Sequence, residues 1–177
     1  MNRKLITLVL IVISLTVVTG CTEKPTANSK VGQKQGAVQA APVYKPDPVI
    51  FSGIRGESLS FINDQIQLDE SILEKGVAYY FNTELDGETI YFFVVQDKNG
   101  VYRAAGNACQ VCADAKKGFD QVGNDMVCNT CGNKYPLEKI ATEKGGCNPV
   151  PVNPNLKSVG GKLIIEKSDF EELKGYF

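Results

Sequence analysis

Two Cys-x-x-Cys pairs constrain this chain more than any other feature. They are Cys109/Cys112 and Cys128/Cys131, with fifteen residues between the pairs, and a fifth cysteine, Cys147, follows after fifteen more. A tight turn between the two cysteines of a pair directs both sulfurs at one point. Two such turns facing each other present four sulfurs at tetrahedral corners, with Zn–S distances of about 2.3 Å if zinc were held. Pairs at this separation match the spacing of thiolate metal sites. Gly132, directly after the second pair, lets the chain turn with positive φ and lets backbone amides approach the sulfurs.

The chain contains no histidine, which removes the commonest nitrogen ligand and the usual general base near neutral pH. A metal site here is built from thiolates, with carboxylates, amides or water as the remaining donors. Two other readings of the cysteines stay open at this point. Disulfides persist in exported proteins, but five cysteines in the folded part leave one thiol over. A thiol oxidoreductase usually opens a helix with its Cys-x-x-Cys, where the helix end lowers the thiol pKa, and Ala113-Asp114-Ala115-Lys116-Lys117-Gly118 supports at most a brief helix. The run Cys128-Asn-Thr-Cys131-Gly132-Asn-Lys-Tyr135 is similar to one knuckle of a rubredoxin or zinc ribbon. Cys147, between Gly146 and Asn148, is a candidate fifth ligand, an exchange ligand or a redox partner.

The sixth cysteine belongs to a different feature. Arg3 and Lys4 precede an uncharged, almost wholly apolar run of 14 residues, Leu5 to Val18. That is shorter than the ~20 residues a spanning helix needs, and it has the anatomy of a secretory signal. Val18-Thr19-Gly20-Cys21 resembles a bacterial lipobox, so residues 1–20 are read as a lipoprotein signal peptide and Cys21 as the lipidated residue. The formal net charge of −1 becomes −3 once Arg3 and Lys4 are removed. Residues 21–48 are then a tether: Pro25, Pro42, Pro46 and Pro48 forbid regular structure, and few large apolar side chains are present to offset the cost of ordering. The expected location is the cell envelope, held extracytoplasmically by a membrane lipid anchor.

Residues 49–177 are the folded domain. The expected class is α+β, mostly β: a small antiparallel sheet with hairpins, two cysteine knuckles and a short C-terminal helix. Val77 to Leu85 and Thr89 to Val95 flank Asp86-Gly87, a two-residue hairpin signal. The continuous apolar run of the second strand predicts burial on both faces. Lys98-Asn99-Gly100 marks a turn into a strand over Val101 to Ala105. Ser58 to Ile62, Gln65 to Leu68 and Lys162 to Ile165 read as shorter strands, and Asp69 to Lys75 as one helical turn. Ser168 is the expected cap of a helix running to Lys174, with Glu171 completing a capping box. Tyr79, Tyr80, Phe81, Tyr91, Phe92 and Phe93 are read as core.

A longer block carries a family resemblance: Asn107-Ala-Cys109-x-x-Cys112, Ala115-Lys-Lys-Gly-Phe119, Met126-Val-Cys128-Asn-x-Cys131-Gly132 and Gly145-Gly-Cys147-Asn-Pro-Val-Pro151. This resembles the FtrD-like membrane iron–sulfur family, more weakly over about 57–177. The resemblance implies an iron–sulfur cluster and a place beside membrane proteins of iron or other metal transport. The family usually has an aspartate where this chain has Asn107. A cluster assembled in the cytosol cannot easily pass through an unfolded-export channel, so a single Zn, Fe or Cu ion captured outside is the alternative; soft thiolates suit all of these.

The balanced charge gives no electrostatic footprint for nucleic acid, and no hydrolytic constellation is visible. The expected function is therefore a membrane-anchored metal-binding protein, not an enzyme of group transfer. It would assist metal uptake, chiefly of iron, or electron transfer, beside a membrane metal permease or redox protein. The metal ligands would be Cys109, Cys112, Cys128, Cys131 and Cys147. The alternatives are a zinc-stapled binding module and a thiol–disulfide oxidoreductase.

Overall fold

The computed structural model describes residues 48–154 and 156–177. The segments read above as signal peptide and tether, Cys21 included and Pro48 excepted, lie outside the described residues. The domain is mostly β, as the strand patterns predict. In chain order the strands are β1 (Glu57–Ser58), β2 (Gln65–Asp69), β3 (Ala78–Leu85), β4 (Glu88–Gln96), β5 (Tyr102–Cys109), β6 (Phe119–Val122), β7 (Asp125–Cys128), β8 (Lys134–Pro136), β9 (Pro149–Asn153), β10 (Ser158–Val159) and β11 (Lys162–Glu166). They form a five-stranded sheet in the order β1-β3-β4-β5-β9 and two three-stranded sheets, β10-β11-β2 and β6-β7-β8. All pairings are antiparallel except the short contact of β1 with β3.

β4 explains the layering. Successive side chains of a strand point to opposite faces, and here both faces are apolar. Phe92 and Val94 enter one core, with Ile66 and Leu68 of β2, Leu163 and Ile165 of β11, and Phe170 and Leu173. Phe93 and Val95 enter a second core, with Phe119, Met126, Leu137, Ile140, Cys109 and Cys128. All four β4 side chains are fully buried, each contributing about 1.5–3 kcal/mol of transfer free energy. The large sheet is thus covered on both faces by a smaller one; Cys109 and Cys128 belong to the second core, with Cys112 and Cys147 packed against it.

The β3–β4 hairpin turns at Asp86-Gly87 with Asp86 at φ 52°, the geometry its sequence calls for. The turn after β4 is fixed by a buried ion pair. Asp97 accepts from the backbone N–H groups of Asn99 (2.9 Å) and Val101 (3.0 Å), and from Arg103 Nε at 2.9 Å. Arg103 also donates to the carbonyl of Ile140 at 3.3 Å, which draws the chain after β8 onto the sheet. At the outer face Phe51 stacks on Tyr91, with ring centroids 4.1 Å apart, and Phe177 packs edge-on against both.

Three local expectations differ from the structure. The C-terminal helix is a 3-10 segment, Lys167–Leu173, capped earlier than expected, by Glu166 and Asp169 rather than by Ser168 and Glu171. It starts early because Asp169 accepts from the backbone N–H of Glu166 at 3.1 Å and Phe170 must reach the first core. The strand expected over Ser58 to Ile62 shrinks to β1 plus an isolated bridge at Ile62. The helical turn after β2 covers only Glu70–Ile72, capped by Asp69.

Candidate metal centre

Strand ends, the turns after them and one loop deliver the five cysteines. Cys109 is the last residue of β5 and is buried, and Cys128 is the last residue of β7 and is equally buried. Cys112 follows in a turn leading to the 3-10 segment Ala113–Ala115, which ends at Lys116 with φ 49°. This is the brief helix expected there. In the second turn the N–H of Gly132 donates to the carbonyl of Cys128 at 2.8 Å, and the N–H of Cys128 donates to the carbonyl of Asn133 at 2.9 Å. Gly132 sits at φ 74°, as its place in the knuckle predicts. Cys131 in this turn is exposed, and Cys112 in the first is half-buried.

Cys147 arrives from a loop that is tied to the first pair. The N–H of Gln110 donates to the carbonyl of Asn148 at 3.0 Å. The Gln110 side chain accepts from the N–H of Gly145 at 2.8 Å and donates to the carbonyl of Pro149 at 3.4 Å. Asn148 closes the loop on the carbonyl of Gly145 at 2.9 Å.

The five sulfurs gather as two triads. Those of Cys109, Cys112 and Cys147 all lie within 4.8 Å of one another, and so do those of Cys112, Cys128 and Cys131. Either triad could hold a metal ion. The backbone supports the thiolate form unevenly. An N–H of Asn133 aimed at Cys131 lowers that thiol below its ordinary range. Burial pushes the Cys109 thiol up, opposed by N–H groups of Val111 and Cys112, the latter 3.4 Å from its sulfur. The Cys112 thiol is pushed up by hydrogen bonding with Cys109, then by burial, then by Cys131. All five cysteines are free thiols.

Asn107 occupies the position where the family resemblance leads one to expect aspartate. Its side chain is completely buried, donates to the carbonyl of Ile54 at 2.9 Å and accepts from the N–H of Phe119 at 2.7 Å. Both ends of the amide are used in holding the N-terminal segment and the start of β6 to β5. Gly118 packs against this amide so closely that a Cβ there would come within 2.7 Å of Asn107 Oδ1. The N–H of Asn129 in turn donates to the carbonyl of Gly118 at 3.0 Å. Asn107 therefore links the two cysteine turns mechanically. The Asp97–Arg103 pair beneath the second core carried no sequence signal beyond two ordinary charges.

No helix of the described residues is long and apolar enough to cross a membrane. No curated protein matches the chain. A family model described as "Membrane iron-sulfur containing protein FtrD-like" matches residues 72–177, which spans β3 to β11, both cysteine turns and the Cys147 loop. The chain belongs to the FtrD-like family of membrane iron–sulfur containing proteins.

Proposed function

We propose that this protein is an extracytoplasmic metal–thiolate protein, lipid-anchored through Cys21, that serves iron uptake or electron transfer at the envelope beside a membrane permease or redox protein. The observation that carries this reading is the convergence of five free thiols at one end of the second core, with Cys131 exposed. The donor set is all sulfur, which suits an iron–sulfur centre, as the family description implies, and equally single soft ions. Such a centre supplies one-electron redox chemistry when iron is bound. The protein's own residues do the rest. Cys109 and Cys128 would hold such a centre against the core, N–H groups of Asn133 and Val111 favour the thiolate forms of Cys131 and Cys109, and the exposed edge at Cys131 and Val111 would give a partner access.

The compactness of the triads favours a second reading, a mononuclear Zn, Fe or Cu site. Two thiolates tetrahedrally bound at about 2.3 Å stand only about 3.8 Å apart, so sulfurs within 4.8 Å need little closure to share one ion. Measuring metal and acid-labile sulfide in protein purified from its native envelope separates the two. Iron with matching sulfide supports the cluster; one ion per chain without sulfide supports the mononuclear centre. A protein free of metal, with its thiols paired as disulfides, would overturn both.

A further inference from the structure

We propose that the segment where the tether enters the domain, together with the loop after the first cysteine pair, docks on an anionic lipid surface and turns the thiol end toward the membrane. The inference rests on the reading of Cys21 as the lipid anchor, and concerns how the domain sits once it is held there. Residues 49–54 belong to no strand or helix and run as a strap along the loop after Cys112. The N–H and the hydroxyl of Ser52 both donate to the carbonyl of Lys116, at 2.8 and 3.3 Å. The carbonyl of Ile54 accepts from Asn107 at 2.9 Å. Gly53 sits so close to this loop that a Cβ there would come within 2.7 Å of the Lys117 carbonyl. Phe51, Lys116 and Lys117 share one hollow with Cys109 and Cys112, so the strap lies against the first pair of thiols.

The strap is held by buried groups and leaves apolar side chains outside. Phe51 is 5% exposed, whereas Val49, Ile50 and Ile54 are 53%, 75% and 43% exposed. Single exposed apolar residues are ordinary. Three in six residues at the root of the tether are not, and they stand beside Lys116 and Lys117, which have no ion-pair partner among the described residues. Apolar side chains next to lysines are the composition of a membrane-surface contact. Charge sorts the surface the same way. Residues 49–177 carry 13 Lys and Arg against 18 Asp and Glu, a net of −5, yet the strap with Arg55 and the loop 113–118 carry +2, with Asp114 as their one carboxylate. An anionic surface therefore attracts this patch and repels the rest of the domain, which sets the orientation. The 27 residues from Cys21 to Asp47, acting as the tether, allow an average reach of about 30 Å from the anchor. That is comparable with the width of the domain, so the strap meets the membrane more often than any other face.

The test uses the full lipidated chain, purified from its native envelope and reconstituted into vesicles of phosphatidylcholine alone or with phosphatidylglycerol. Flotation of the vesicles shows whether the chain is anchored. Lysine acylation by a water-soluble active ester, read by mass spectrometry, then maps the docked face. Lys116 and Lys117 should react severalfold more slowly on the phosphatidylglycerol vesicles, and high salt should remove the difference. Lys157 and Lys162, exposed at the β10-β11-β2 sheet across the large sheet, should react alike on both. Val49→Ser with Ile50→Ser should also remove the slowing; circular dichroism checks that this variant is folded, and if it is not, the parent's lipid and salt dependence carries the test. Equal rates on both vesicles, with the chain afloat, overturn the docking and leave the anchor reading standing. Slowing in native envelope vesicles but not in these overturns it too, and assigns the face to a protein partner. A chain that floats with neither overturns the anchor reading and the docking together.

Discussion

At the scale of single residues, Asn107 shows how a polar group two positions from a candidate ligand can serve the scaffold. Its amide donates to one carbonyl and accepts from one N–H, an arrangement an ionised carboxylate cannot satisfy. A carboxylate could still accept from Phe119 but would face the Ile54 carbonyl with no proton to offer. Asn107→Asp should therefore cost roughly 1–3 kcal/mol, the penalty for a buried group without its partner. Urea unfolding of the two proteins measures it; an unchanged midpoint would mean that the amide's donor contact contributes nothing. Asp97 gives a pH-dependent counterpart. Burial alone would raise its carboxyl, but hydrogen bonds from Val101, Arg103 and Asn99 outweigh it and hold the carboxyl below its ordinary range. A depressed folded pKa means that the unfolded chain binds the proton more readily. The pair's contribution is thus complete above the unfolded value of about 3.9 and is lost as pH falls through the folded one. Asp97→Asn should cost about 3–5 kcal/mol at pH 7, since it leaves Arg103 buried without a counter-charge. Its stability should also vary less with pH below about 4 than the parent's, which denaturant titrations at several pH values will show.

At the scale of elements, the parts legible in the sequence are those whose signal is local. The β3–β4 hairpin follows from Asp86-Gly87 between two apolar runs, and the double burial of β4 from its unbroken apolar stretch. The brief helix after Cys112 follows from six residues that hold no longer one. The β6–β7 hairpin is also written in the chain, as Phe119 to Val122 and Asp125 to Cys128 flanking Gly123-Asn124. Short strands of mixed polarity carry little pattern of their own, however, and this hairpin goes unread beside the cysteine spacing. It matters because β7 is what delivers Cys128 to the core. The convergence of the four Cys-x-x-Cys sulfurs is legible from spacing, whereas spacing leaves Cys147 with several candidate roles. The approach of Cys147 to Cys109 and Cys112 is not legible there, because it depends on where the Gln110 contacts set the Cys147 loop, a long-range arrangement with no local pattern. The same contacts make a prediction. Gln110→Ala removes two hydrogen bonds to that loop while leaving β5 intact. In the metal-free protein, alkylation of Cys147 should quicken severalfold and that of Cys109 should stay unchanged, as mass spectrometry of each site would reveal. Equal rates in parent and variant would show that the loop is held by something other than Gln110.

At the scale of the whole molecule, the two cores predict how the domain responds to losing its metal. The first core joins the large sheet to the β10-β11-β2 sheet and the C-terminal segment, and none of the five thiols packs in it. The second contains Cys109 and Cys128, with Cys112 and Cys147 packed at its edge. A domain whose only core surrounded the metal would unfold with chelator, as small zinc-stapled modules do. Here the aromatic packing of Phe81, Phe92 and Phe170 is independent of the thiols, so metal removal should act regionally. Protein loaded with its native metal, then treated with chelator and reductant, should lose amide protection over β6 to β8 and the Cys147 loop. The amides of β3, β4 and β11 should keep most of theirs, because regions of one domain open with their own free energies. Hydrogen exchange read by mass spectrometry resolves the two cases. Uniform loss of protection would mean that the centre holds the whole fold together and would favour a structural metal. Regional loss would mean that the fold stands without the centre, leaving a thiol cluster with Cys131 at its exposed edge free to exchange its ion or its electron with a partner.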